Sequence, residues 1–188
     1  MDMTGLSGSI VAIVTPFKED RGVDFEALER LVDFHLANGT DGILVLGTTG
    51  ESSTMTDRED YEVATCVVDR VAGRIPVIGG SGSNSTDESL RKSLGLQKLG
   101  VDGLLIITPY YNKSNEEGIY HHLNSVLDAV NVPCVLYNIP GRTGCSISEK
   151  NLARLSRHPN AWGLKEASGN IAYAATAARY VSEDFHLF

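Results

Sequence analysis

Long apolar runs, cationic patches and paired cysteines are all missing from this sequence, and each absence removes a class of function. No apolar stretch approaches the roughly 20 residues that a membrane-spanning helix needs, so no membrane partner is expected. Lys and Arg number 16 against 24 Asp and Glu, a formal charge of −8 over 188 residues. That balance argues against nonspecific binding to nucleic acid or to anionic membranes, both of which want basic surfaces. The three cysteines, Cys66, Cys134 and Cys145, form neither an even disulfide framework nor a metal-ligand spacing. Reduced, buried thiols in a cytoplasmic protein are therefore expected, with no metal. The opening MDMTGLSGSIVAIVTP lacks the basic segment and long apolar core of a secretory leader. No G-x-x-x-x-G-K-[ST] phosphate loop occurs anywhere.

What is present is one repeating pattern. Short apolar runs rich in β-branched residues alternate with Gly/Pro/Thr loops and longer amphipathic segments. The runs are 9–16, 42–47, 75–80, 103–108, 133–138, 161–167 and a stub at 185–188. They are nearly continuous in apolar residues, as suits parallel strands covered on both faces. Helices are expected between them. The first follows Asp24 and stops at Gly39, and four later ones open with capping-box pairs, Thr56/Glu59, Ser85/Glu88, Ser114/Glu117 and Ser146/Glu149.

An α/β protein follows, and two architectures compete. A doubly wound dinucleotide fold should carry G-x-G-x-x-G after its first strand, but that loop reads TPFKEDRG. The (β/α)8 TIM barrel is favoured, although eight such units need about 240 residues or more. The expectation is a single barrel domain over residues 1–188, with about six βα units plus the start of a seventh strand, truncated within that strand.

In such barrels functional groups sit where strands end. Lys165 lies near the end of AWGLKEAS, an otherwise apolar strand. An ammonium drawn into apolar surroundings loses solvation and releases the free amine that attacks carbonyls to form a Schiff base. The plain alternative is a rim lysine paired with Glu166. The loop Gly47-Thr48-Thr49-Gly50-Glu51-Ser52 has glycines for close backbone approach, with amides and hydroxyls for a small anion such as a carboxylate; it also reads as an ordinary turn. Tyr137 ends the fifth strand and can relay protons, while Arg142 can grip a carboxylate bidentately. Of Tyr110 and Tyr111, adjacent in an extended segment, one faces the barrel mouth and the other a neighbour, unless both are a packing pair. His35, His121, His122 and His158 read as surface or packing residues.

GTTGES, TPYYN, LYNIPGRTG and GLKEASGN, in this order, together with the opening GSIVAIVTPF, resemble the dihydrodipicolinate synthase family of pyruvate-dependent class I aldolases. The resemblance implies that Lys165 forms an imine with pyruvate, which tautomerises to an enamine and attacks aspartate 4-semialdehyde, without a cofactor. It implies Tyr137 as proton donor and acceptor, linked through Thr48 to Tyr111 of a neighbouring subunit. Thr49, with Gly47 and Gly50 in the same loop, would hold the pyruvate carboxylate, and Arg142 that of the semialdehyde. It implies a homodimer or homotetramer at full length and a place in lysine (diaminopimelate) biosynthesis. Ser52, Ser53, Asn84, Glu88 and Tyr110 match positions of a lysine inhibition site, where Asp57 and Asp60 replace residues that are often His. The intact Arg-Thr-Gly favours the synthase over a sugar-acid lyase of the N-acetylneuraminate lyase type. A catalytically silent barrel fragment is the remaining alternative.

Overall fold

The structure, a computed structural model, describes Met3 and residues 6–188, so part of the opening stretch read for a leader lies outside it. Strands and helices alternate: β1 (Ile10–Ala12), α1 (Phe25–Ala37), β2 (Gly42–Val45), α2 (Asp57–Val71), β3 (Val77–Gly80), α3 (Thr86–Leu99), β4 (Gly103–Ile107), α4 (Glu116–Ala129), β5 (Cys134–Asn138), α5 (Pro140–Thr143), α6 (Glu149–Leu155), β6 (Ala161–Glu166), α7 (Ile171–Ala177) and β7 (His186–Leu187). The chain forms two compact units, one of residues 1–80 with 95–104, the other of 81–94 with 105–188.

In the first unit β1, β2 and β3 pair in parallel and in chain order, Ile10 opposite Gly42 and Ile43 opposite Val77. Every residue of β2 is buried, as a strand covered on both faces requires. Helix α1 begins where the Asp24 side chain accepts from the Ala27 amide, and Gly39 just past its end has φ of 74°. Arg70 on α2 forks onto Asp33 of α1. Strand β1 is shorter than the apolar run that announces it: beyond Ala12 the ladder ends, and Val14 is 48% exposed.

In the second unit β5, β6 and β7 pair in parallel, again in chain order. The core beneath them includes Leu123, Leu127, Leu136, Leu152 and Leu164, all fully buried. Lys150 and Arg154 on α6 meet Glu116 and Glu117 on α4, and the Arg154 guanidinium stacks 3.3 Å over the Tyr120 ring.

Of the four expected capping boxes, only Thr56/Glu59 forms in full. Helix α4 starts one residue later than expected, because Asn115 and not Ser114 accepts from the Gly118 amide at 2.8 Å. Helix α6 is capped by Ser148, since the Ser146 hydroxyl is drawn away to Asn138 Oδ1. At α3 the Glu88 carboxylate goes to Ser83 Oγ at 2.8 Å, leaving Ser85 only a 3.4 Å approach from the Glu88 amide. The single turn α5 was not foreseen; Pro140 at its start supplies a preset helical φ.

Candidate active site

Strand β5 carries Tyr137 and strand β6 carries Lys165, and the parallel register sets the two residues opposite one another. The Lys165 Nζ lies 4.6 Å from the centroid of the Tyr137 ring, and Tyr137 is buried. Burial alone lowers the basicity of the Lys165 amine. The rim pairing with Glu166 does not occur. Successive side chains of a strand point to opposite faces, and Glu166 instead accepts from Asn138 Nδ2 at 2.6 Å and from the Ser168 amide at 2.6 Å. Among the described residues no carboxylate forms an ion pair with Lys165. A half-buried amine without a counter-ion has the free-amine character that nucleophilic attack on a carbonyl requires.

Arg142 lies on α5, five residues beyond Tyr137, and is exposed. Tyr110 is half-buried, whereas Tyr111 is 90% exposed with φ of 73°, a conformation that a bulky residue rarely adopts. The two adjacent tyrosines therefore meet different surroundings and are not a buried packing pair. Cys145, two residues after the buried Thr143, directs its thiol to the Pro109 carbonyl oxygen at 3.0 Å, tying this turn to the segment that carries the tyrosines. Lys113 packs its aliphatic stem against Gly144.

The Gly47–Ser52 segment belongs to the first unit. Residues Thr48–Gly50 and Ser52–Thr54 form two short 3₁₀ turns, with Thr48 and Thr49 exposed and Gly47 and Gly50 buried. The left-handed residues are Leu46 (φ 61°) and Glu51 (φ 57°), not the glycines. Gly50 approaches its neighbour closely, since a Cβ there would lie 3.2 Å from the Ile13 carbonyl oxygen. Its own carbonyl accepts from the buried Thr15 hydroxyl at 2.7 Å. Ser52 donates to Asp60 at 3.0 Å, while Ser53 is exposed. In the second unit Asn84 and Glu88 are half-buried, with Glu88 held by Ser83 and Lys92.

One feature escaped the sequence. Asn138, placed at a strand end but given no task, is fully buried and bonds through both ends of its amide. A strict two-residue alternation applied to Lys165-Glu166 would have separated the carboxylate from the amine. Of the two outcomes open to His122, surface or packing, the structure shows packing: it is buried on α4 with Nδ1 on the Thr86 hydroxyl at 2.9 Å, and burial pulls its pKa down to about 4. Cys134 is buried, but Cys66 and Cys145 are only partly so, and all three are free thiols. Among the described residues no group of three or more His, Cys, Asp or Glu side chains clusters as a metal site, and no helix is long and apolar enough to cross a membrane.

The model of the Dihydrodipicolinate synthetase family matches residues 5–188. The chain belongs to this family. The 4-hydroxy-tetrahydrodipicolinate synthase of Caldicellulosiruptor saccharolyticus is 53% identical over 171 residues, 91% of this chain and 58% of that protein. Among solved dihydrodipicolinate synthases, the chloride-inhibited Acinetobacter baumannii enzyme complexed with pyruvate aligns with a TM-score of 0.94 at 41% identity, over 97% of this chain and 62% of that one. The Cyanidioschyzon merolae synthase with lysine bound aligns with a TM-score of 0.93 at 43% identity, over 97% and 63%. The fold is thus the (β/α)8 barrel fold of the dihydrodipicolinate synthetase family, of which the chain holds strands β1 to β7. It spans about three fifths of the length of these relatives.

Proposed function

We propose that this chain carries the pyruvate-activating site of a 4-hydroxy-tetrahydrodipicolinate synthase, a lyase that condenses pyruvate with aspartate 4-semialdehyde in lysine biosynthesis. The observation that carries this reading is the half-buried, counter-ion-free amine of Lys165 facing Tyr137. The Lys165 amine attacks the ketone carbon of pyruvate, and loss of water gives an imine. A methyl proton then leaves, and the resulting enamine forms a carbon–carbon bond to the aldehyde carbon of the semialdehyde. The α-amine of the adduct finally attacks the imine carbon, closing the ring and returning the lysine.

Tyr137 is the proton donor and acceptor in these steps, with Thr48 and Tyr111 continuing the relay. The 90% exposure of Tyr111 suits service to a second copy of the chain in a homodimer or homotetramer. Thr49, flanked by Gly47 and Gly50, holds the pyruvate carboxylate, and exposed Arg142 receives the carboxylate of the semialdehyde. Ser52, Ser53, Asn84, Glu88 and Tyr110 form the corresponding set for lysine, in keeping with the lysine-bound relative. The work is done in the cytoplasm and without a cofactor.

The test is borohydride reduction of the chain with pyruvate, followed by intact mass and peptide mapping. The expected result is one adduct, on Lys165, absent from Lys165→Ala. No adduct from a folded sample refutes the reading. An adduct followed by turnover of a sugar acid in place of aspartate 4-semialdehyde would assign the site to the lyase branch.

A further inference from the structure

The register that sets Tyr137 opposite Lys165 is not inherited from the base of the sheet. Cys134 pairs with Ala161, but the next residue, Val135, pairs with Gly163, so Trp162 is an extra residue in β6. Above such a bulge the alignment has to be set again locally, because a slip of one residue turns every side chain to the other face. The next side-chain bond across the two strands above the bulge is that between Asn138 and Glu166, one residue beyond the reactive pair.

This bond is part of a closed set. Asn138 Nδ2 donates to Glu166 Oε2 at 2.6 Å, while Asn138 Oδ1 accepts from the Ser146 hydroxyl at 3.1 Å and the Ile147 amide at 3.0 Å. The other carboxylate oxygen of Glu166 accepts from the Ser168 amide at 2.6 Å, and the Asn138 carbonyl accepts from the Ala167 amide at 2.9 Å. Asn138 is fully buried, so its donor and acceptor ends cannot exchange partners with water. The same bonds hold the Glu166 carboxylate on the face of the sheet away from Lys165.

We infer that Asn138 and Glu166 form a cross-strand clamp of positioning residues, which holds the Lys165 amine opposite Tyr137 and keeps the adjacent carboxylate away from it. The clamp rests on the proposed imine chemistry at Lys165 and adds to it the residues that aim the nucleophile. It acts on the rate of imine formation and not on pyruvate binding, because neither side chain points to the reactive face.

A donor–acceptor exchange tests it. Asn138→Asp sets two carboxylates against each other, and Glu166→Gln leaves one acceptor oxygen for two donors, so that its NH2 group faces either the Asn138 NH2 or the Ser168 amide. The double variant Asn138→Asp/Glu166→Gln exchanges the roles, so that every hydrogen bond and the net charge are retained. The readout is the rate of borohydride-trapped adduct per folded molecule at saturating pyruvate, with folding followed by circular dichroism. Each single variant is expected to lose about tenfold or more, as displacement of a reacting group does, with half-saturating pyruvate unchanged, and the double variant to return to within about threefold of the parent. Single variants that trap at the parental rate per folded molecule overturn the clamp and leave the Lys165 chemistry standing. Should the singles fail to fold, the double decides: folded and fast supports the clamp, whereas folded and slow, or unfolded, overturns it. No adduct from the parent chain refutes the imine reading and the clamp with it.

Discussion

At the end of β2 the main chain itself is bent into shape, whereas at the ends of β5 and β6 the main chain is regular and side chains do the holding. The first segment puts Leu46 and Glu51 in the left-handed region and brings Gly50 against the Ile13 carbonyl. The second aligns Tyr137 with Lys165 in the stretch of parallel ladder above the bulge at Trp162 and bolts the next pair, Asn138 and Glu166, together. The difference follows from what each segment presents. Under the proposed function the first segment offers amides and hydroxyls to an anion, which takes a shaped backbone. A strand that offers one amine must aim a side chain, and aim is set by register.

The sharpest way to break this comparison is to remove what the second segment aims. Lys165→Ala is expected to lower pyruvate trapping by about three orders of magnitude or more, measured as adduct per hour, with the fold intact by circular dichroism. Tyr137→Phe keeps the ring beside the amine and removes only its hydroxyl. Turnover is expected to fall about a hundredfold, in the range for loss of a general acid–base group, and a steady-state assay with aspartate 4-semialdehyde checks it.

The backbone-shaped segment should fail by destabilisation instead. A Cβ on Gly80 would lie 2.2 Å from the Leu46 carbonyl oxygen, a backbone atom that cannot swing aside. Gly80→Ala is expected to lower stability by about 1–3 kcal/mol, the usual range for forced overpacking, as read by urea denaturation. An unchanged midpoint would mean that the bend at Leu46 is soft, and the contrast with β5 and β6 would lose its basis.

The most gradual effect, spread over a range of pH, concerns the dependence of the second unit on buried side chains. His122 is held neutral, its pKa pulled from 6.5 to about 4 by burial. The unfolded chain takes up this proton first, so stability is retained above pH 6.5 and falls as the pH drops towards 4. The loss is expected to be on the order of 3 kcal/mol, and His122→Gln should flatten that limb of the stability–pH curve.

The parallel strands, and the place of Lys165 within one of them, were legible because both leave local marks. Continuous apolar runs betray strands covered on two faces, and a lysine inside such a run is out of place unless it has a task. The actual caps at Asn115 and Ser148 were not legible, because Ser146 is diverted by Asn138, a residue eight positions away. The bulge at Trp162 and the clamp above it are likewise properties of two strands together, and no single stretch of sequence displays a pairing. The left-handed residues around the Gly47–Ser52 loop, Leu46 and Glu51, carry no local mark either, since there the surrounding packing overrides local preference.

Trp162 has one more consequence. It is the single tryptophan of the chain, and its ring lies 4.7 Å from that of His186 and 5.2 Å from that of Phe188, all within the second unit. The molecule's intrinsic tryptophan emission is therefore a one-sided signal, reporting loss of structure around β6 and β7 and silent to the opening of the first unit. Far-ultraviolet dichroism sees the helices of both. If the two units come apart together, the optical transitions superimpose; if they do not, the gap between the curves measures how far the two halves of the chain melt as separate bodies.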